Sequence, residues 1–256
     1  MDIIYTHSTK DILYSKRTYG LHLLLLFCTC FCSFSVAQTK QEALRRWTTA
    51  EVVSDAEVEQ YGIDSCFVAY PINDTIFKRM QGKSYKDGCT VPLENLRYLH
   101  VLHRNVDGKA QLGEIVCNAS IADDLLIIFR QLYEADYRIE RIVLIDEYDA
   151  DDERSMTANN TSCFNFRPVS GSKKLSKHSQ GLAIDINPLY NPCLSLGTGK
   201  VEPAAGKRYA VERGKITNTK VPLINMKDLC YQLFKAHGFR WGGNWMSKKD
   251  YQHFEK

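Results

Sequence analysis

The chain has 256 residues, of which 44% are hydrophobic and 25% are charged, and this composition excludes a disordered or collagen-like chain. The formal net charge is only +3, and no dense run of Lys and Arg marks a surface that follows phosphates, so the sequence predicts no nucleic acid partner. Composition by itself indicates a globular protein and says nothing about its chemistry.

Residues 1–37 have the pattern of a secretory signal peptide. Three basic residues precede the apolar stretch Leu21–Phe34, and Ala37 provides a small residue for cleavage before Gln38. The apolar stretch is shorter than the ~20 residues of a spanning helix. We therefore expect an exported protein of the periplasm or cell exterior with no stable membrane span after cleavage, and an uncleaved anchor or a lipidated cysteine is the alternative.

The chain beyond the leader contains six cysteines, at positions 66, 89, 117, 163, 193 and 230. An even number in an exported protein permits disulfides, and six cysteines allow 15 connectivities. Their wide spacing contains no C-x-x-C pair, so a cysteine-based zinc knuckle is not expected. The sequence leaves structural bridges and buried thiols both open.

The hydrophobic patterns predict an α+β fold in which helices pack on an antiparallel sheet, because strands and helices do not alternate regularly. Residues 38–90 are predicted to form a mainly helical extension, and residues 91–256 the functional domain. Within that domain we predict a hairpin of Leu96–His103 and Gln111–Asn118, a helix over Ile121–Tyr133, strands over Ile139–Ile145 and Gly181–Asn187, an amphipathic helix over Pro222–His237 and a final strand over Asp250–Glu255.

Two of the five histidines beyond the leader lie in settings that suit a metal ion. His178 precedes a strand in which Asp185 stands among Ala and Ile, where a carboxylate requires a cation or several hydrogen-bond donors. His253 follows Asp250 by three residues near the end of the chain. Two imidazoles and one carboxylate form the usual ligand set of an open zinc site, although a lone histidine is more often a hydrogen-bonded core residue.

Two motifs together resemble a known family. They are Ser176-x-His178-x-x-Gly181-x-Ala183-x-Asp185 and, later in the chain, Asp250-x-x-His253-Phe254. Both are similar to the motifs of the zinc D-alanyl-D-alanine carboxypeptidases and dipeptidases, a family that includes L-alanyl-D-glutamate peptidases. The resemblance spans at least residues 164–255 and implies the zinc DD-peptidase fold, which hedgehog domains share.

The resemblance implies a role for each matching position. Zn²⁺ would be bound by His178, Asp185 and His253, and Asp250 would be the catalytic acid/base. Arg167 would bind a substrate carboxylate or stabilise the tetrahedral oxyanion, as suits a guanidinium fork. The predicted substrate contacts are Ser176, Trp241 and Trp245.

The implied function is an exported zinc carboxypeptidase or dipeptidase that acts on D-amino acids in peptidoglycan stem peptides. Two alternatives are an L-alanyl-D-glutamate endopeptidase and a non-catalytic binding module that keeps its zinc. A structural domain held by disulfides is a third possibility, but it leaves the histidine motifs unexplained. The sequence does not define the oligomeric state or the role of residues 38–90.

Overall fold

The computed structural model describes residues 47–218 and 220–256, so the predicted signal peptide and residues 38–46 lie outside the described part of the chain. Trp47–Lys256 form one compact unit, and the predicted boundary at residue 90 falls inside it. Within the described ranges, no helix has the length and apolar character that crossing a membrane requires.

The described residues form short helices and three small antiparallel sheets, a mixed architecture that agrees with the predicted α+β class. The α-helices are α1 (Asp55–Tyr61), α2 (Asp74–Met80), α3 (Ala119–Glu134), α4 (Asp152–Thr157), α5 (Lys207–Val211) and α6 (Leu229–Ala236). The strands are β1 (Val68–Pro71), β2 (Leu96–Arg104), β3 (Ala110–Asn118), β4 (Ala183–Asp185), β5 (Cys193–Ser195), β6 (Val201–Glu202), β7 (Arg240–Trp241), β8 (Lys248–Asp250) and β9 (His253–Glu255).

The predicted hairpin forms the centre of the first sheet, β1–β2–β3. Its turn is fixed by Asn105, whose Oδ1 accepts hydrogen bonds from the backbone N–H groups of Asp107 and Lys109, each at 3.0 Å. The predicted helix, α3, packs on β2 and buries Leu125 and Phe129 completely. This sheet and helix form the larger apolar core and provide the surface on which the C-terminal half is built.

The segment before residue 90 is less helical than predicted. It contains β1, which pairs antiparallel with β2 so that Val68 stands opposite His100. Ser54 and Asn73 cap the N-termini of the short helices α1 and α2, because their side chains accept hydrogen bonds from backbone N–H groups of the first turn. Because β1 is an edge strand of the main sheet, residues 68–71 belong to the same body as the rest of the described chain.

The predicted strand Ile139–Ile145 does not form. Two of its backbone N–H groups donate to buried asparagine side chains, Glu140 to Asn187 Oδ1 and Val143 to Asn160 Oδ1. Single backbone hydrogen bonds join it to the main sheet, from Glu114 N–H to the carbonyl of Ile142 and from Ile139 N–H to that of Arg104. The segment is apolar because it is buried, and the asparagine amides satisfy backbone groups for which no regular strand ladder forms.

Two C-terminal sheets carry the candidate site. One has the order β4–β9–β7 and the other the order β6–β5–β8, so the single sheet predicted for this fold is divided. The predicted final strand is likewise two strands, because β8 ends at Asp250 and β9 begins at His253. Two intervening residues therefore lead the chain from one sheet into the other.

The predicted helix Pro222–His237 is shorter in the structure. It begins only after Asp228, whose carboxylate caps α6 by accepting from the N–H of Cys230 at 3.0 Å. The preceding residues are held in irregular backbone by Asn191, whose Oδ1 accepts from Ile224 N–H. The six described cysteines are all free thiols, and five of them are buried.

Candidate active site

His178 is positioned by a single 3₁₀ turn, Lys177–Gln180. Ser176 begins the turn and its hydroxyl accepts a hydrogen bond from the backbone N–H of His178 at 3.3 Å. Gly181 ends it in the left-handed region, with φ of 67°, where a Cβ would lie only 2.6 Å from the backbone nitrogen of Asn118. The turn is thus pressed against the main sheet at a position that only glycine fits.

The three predicted ligands converge. Asp185 stands opposite His253 in the β4–β9 register, with Nδ1 of His253 3.0 Å from Oδ1 of Asp185. Nε2 of His178 lies 3.3 Å from Oδ2 of Asp185 and 3.2 Å from Nδ1 of His253. The candidate ligand atoms all lie within 4.8 Å of one another, and all three residues are buried.

Each imidazole is oriented by a contact on its far side. Nδ1 of His178 contacts the carbonyl oxygen of Cys163 at 2.6 Å, and Nε2 of His253 contacts Oε2 of Glu255 at 3.3 Å. A ligating histidine ordinarily uses its other ring nitrogen in this way, which fixes its tautomer and ring orientation. The donor set therefore fits a divalent metal ion, with Nε2 of His178 and Nδ1 of His253 as the nitrogens directed at it.

Asp185 concentrates negative charge in this buried position. Burial would raise the pKa of its carboxyl, but the charge of His178 and the hydrogen bonds of both imidazoles hold the pKa well below its usual value. Burial would likewise lower the pKa of His253, but its hydrogen bonds to Asp185 and Glu255 raise it to about 9. The protein alone thus places a positive charge beside Asp185, the position that a metal ion would take.

Asp250 lies at the end of β8, next to this group. Its Oδ1 is buried and makes no hydrogen bond within the described residues, while Oδ2 lies 3.2 Å from Nζ of Lys248. Gly242 approaches it so closely that a Cβ there would lie 2.8 Å from Cβ of Asp250 and 3.2 Å from Cβ of His253. The acid is therefore held close to the third ligand and keeps one oxygen free of protein partners.

Trp245 and Lys248 lie beside the same group. The Trp245 ring centroid is 5.1 Å from that of His253, and Nζ of Lys248 stands 4.7 Å from the Trp245 centroid. Burial would lower the pKa of Lys248, but the neighbouring Asp250 carboxylate raises it, so the side chain is a cation. Trp245 was predicted from its motif and Lys248 was not, although alternation along a strand places Lys248 and Asp250 on one face.

Arg167 and Ser176 lie in the segment around the His178 turn. The backbone N–H of Ser176 donates to the carbonyl of Arg167 at 3.2 Å. The Arg167 guanidinium forms an ion pair with Asp152, with Nε 2.5 Å from Oδ2 of the carboxylate.

Trp241 lies in β7, in the same sheet as Asp185 and His253. In the β7–β9 register it stands opposite Phe254, whereas His253 and Asp185 point to the other face of the sheet. Its Nε1 donates to the carbonyl of Tyr251 at 2.9 Å. It lines an open cavity of about 990 Å³, together with the loop around Pro222, and its predicted contact with substrate stays a prediction.

The site has the composition of a metallohydrolase centre: two imidazoles, one carboxylate and a second acid nearby. Residues 170–256 match the family model described as D-alanyl-D-alanine carboxypeptidase, and this segment contains both sequence motifs but not Arg167. The match supports the zinc peptidase family to which the motifs are similar, and with it a peptidase. No curated protein and no solved structure matches the chain.

Proposed function

We propose that this protein is an exported zinc peptidase that hydrolyses peptide bonds next to D-amino acids in peptidoglycan stem peptides, as a D-alanyl-D-alanine carboxypeptidase or dipeptidase. The observation that carries the proposal is the convergence of His178, Asp185 and His253 within 4.8 Å, with Asp250 beside them. The family match supports the peptidase, and the pattern of residues 1–37 supports export.

The proposed roles follow from the contacts. His178, Asp185 and His253 would hold Zn²⁺, which when bound polarises a carbonyl oxygen and acidifies water. Asp250, whose Oδ1 is free of protein partners, takes a proton from the attacking water as the new C–O bond forms. It passes this proton to the departing amine when the C–N bond breaks, so one water is consumed and the Asp250 carboxylate is regenerated.

The remaining predicted residues are assigned to substrate binding. Ser176 and Trp245 border the ligand group and are proposed to contact the peptide. Arg167 pairs with Asp152 through Nε, and its terminal nitrogens are proposed to bind a substrate carboxylate or to stabilise the oxyanion. Residues 91–256 remain the proposed peptidase domain, and residues 47–90 complete the sheet that supports it.

Mass spectrometry of stem peptides tests this proposal, with zinc-loaded and chelator-treated protein compared. We expect loss of one D-alanine from a pentapeptide stem, dependent on zinc. Cleavage between L-alanine and D-glutamate would instead identify the endopeptidase alternative. Zinc binding without cleavage of either substrate would favour the binding module and contradict a peptidase.

The variant Asp250→Asn separates catalysis from metal binding. Because Asn keeps the shape of the side chain but cannot accept the proton, we expect turnover to fall by ~10²–10⁴-fold, the usual contribution of a general base. Zinc content should stay at the wild-type level. Asp123→Asn, on the exposed side of α3, is the matched control and should change neither quantity. Full turnover by Asp250→Asn would remove Asp250 from the mechanism.

A further inference from the structure

The ammonium group of Lys248 is fixed beside the ligand group by two contacts. It stands 3.2 Å from Oδ2 of Asp250 and 4.7 Å from the centroid of the Trp245 ring. Trp245 in turn packs against His253. A lysine normally samples many rotamers, and a cation held over an indole and beside a carboxylate loses much of that freedom before any ligand arrives.

Lys248 is also accessible. About a third of its side chain (35%) is exposed, whereas the side chain of Asp250 is 10% exposed. Oδ2 of Asp250 satisfies one of the three N–H donors of the ammonium, so donors remain for a ligand. The next residue, Lys249, points to the opposite face of β8 and donates to the carbonyl of Trp245 at 2.8 Å.

The charge balance of the site favours an anionic ligand. The carboxylates of Asp185 and Asp250 together balance a divalent metal ion. Glu255, the other acid near His253, is paired with Arg240 at 2.8 Å. The positive charge of Lys248 is then in excess of the carboxylates at the site, and the charge of Arg167 is already balanced by Asp152.

We propose that Lys248, fixed on Trp245, forms a subsite that binds a carboxylate of the substrate next to the bond that is cleaved. This inference rests on the proposed function and makes it more specific, because the carboxylate nearest a bond cleaved by a carboxypeptidase is the C-terminal one. The subsite therefore favours release of a C-terminal residue over cleavage within a peptide whose nearby carboxyl is blocked.

The test compares two peptides, N-acetyl-L-lysyl-D-alanyl-D-alanine and its C-terminal amide. Zinc-loaded wild-type protein should cleave the acid with a kcat/KM ~10- to 100-fold above that of the amide, the range expected for a hydrogen-bonded charge pair. Lys248→Met, which keeps the aliphatic stem, should lose most of this preference, mainly through KM. Lys248→Arg should retain it, and Lys249→Met is the matched control that removes the neighbouring charge.

A binding measurement complements the kinetics. Zinc-loaded Asp250→Asn protein, which should not turn over, is titrated with the same two peptides by calorimetry, with and without Lys248→Met. Tighter binding of the acid that disappears in the double variant supports the subsite. Equal losses for acid and amide would show that Lys248 does not recognise the carboxylate, and would overturn the proposal.

The two proposals fail in different ways. If the zinc-loaded wild type cleaves neither peptide, the peptidase function is contradicted, and titration of the wild type with the same peptides still judges the subsite. If it cleaves acid and amide equally well, the function stands and the carboxylate subsite is wrong.

Discussion

Nε2 of His178 lies 3.2 Å from Nδ1 of His253, although 75 positions separate the two residues in the sequence. Two imidazole nitrogens that face each other across a buried carboxylate gain little from one another unless a cation or a proton lies between them. The arrangement explains why the turn at Gly181 and the β4–β9 pairing are both needed, since each delivers one of the two rings.

Zinc should stabilise the folded protein through this site. A ligand present at 100 times its dissociation constant adds about 2.7 kcal/mol to the free energy of unfolding, because only the folded chain brings the three ligands together. We expect zinc to raise the melting temperature and a chelator to reverse the rise, measured by calorimetry. His253→Ala should abolish the response, whereas His237→Ala, which removes a histidine paired with Asp124 elsewhere, should keep it. A zinc response that survives in His253→Ala would place the metal at another position.

Gly242→Ala should damage the site without unfolding the protein. A Cβ at residue 242 would lie 2.7 Å from the carbonyl oxygen and 2.8 Å from Cβ of Asp250, and backbone at this distance cannot give way cheaply. We expect at least a tenfold loss in kcat, because small displacements of a catalytic group are costly. Gly197→Ala, where a Cβ meets no atom within 4 Å, is the control. Equal activities of the two variants would contradict the tight approach of Gly242 to Asp250.

Arg79→Met should destabilise the main sheet. Arg79 pairs through two nitrogens with Glu114, whose side chain is only 2% exposed and also accepts from Tyr98 Oη at 2.6 Å. Removing the arginine leaves a buried carboxylate with one donor, so we expect a loss of about 3 kcal/mol in urea unfolding at neutral pH. Arg208→Met, which breaks an exposed pair with Glu212, should cost less than about 1 kcal/mol. Similar losses for both variants would contradict this account.

His103 should make the fold sensitive to mild acid. Burial lowers its pKa to about 4 from the ordinary 6.5, and its Nδ1 contacts the carbonyl of Ile139 at 2.6 Å. Between pH 4 and pH 6.5 the imidazole of His103 therefore binds a proton in the unfolded chain but not in the folded chain. The free energy of unfolding should fall by about 3 kcal/mol as the pH drops from 6.5 to 4.

The variant His103→Asn isolates this effect. Asn can still donate to the carbonyl of Ile139 but has no proton to gain in this range. Urea unfolding at several pH values should show a flatter dependence for the variant than for the wild type. An unchanged slope would mean that other groups dominate the acid response.

The convergence of three candidate ligands was predictable from the sequence because the motifs combine spacing with residue type. His178, Asp185 and His253 were identified from their motifs, and the structure brings them together. The face on which Trp241 lies was not predictable, because it depends on the β7–β9 register, and a register is set by tertiary pairing that a local motif does not reveal. Alternation of side chains along β8 places Lys248 on the same face as Asp250, but this follows only once Asp250 is known to lie in that strand.

The fold was predictable where periodicity and turn chemistry agree. The hairpin at Asn105 and helix α3 were predicted from such signals and are confirmed. The segment Ile139–Ile145 has the apolar, β-branched composition of a strand, and its different structure depends on Asn160 and Asn187, which come later in the chain. Hydrogen bonds from such asparagine side chains cannot be predicted from the hydrophobic pattern of the segment that they stabilise.

The placement of the tryptophans also provides an optical reporter. The Trp245 ring contacts His253, while Trp241 is turned to the opposite face and is only 7% exposed. A paramagnetic ion such as Co²⁺ should therefore quench the fluorescence of Trp245 far more than that of Trp241. Trp245→Phe would remove the quenched component, so occupancy of the centre can be followed in real time without any added dye.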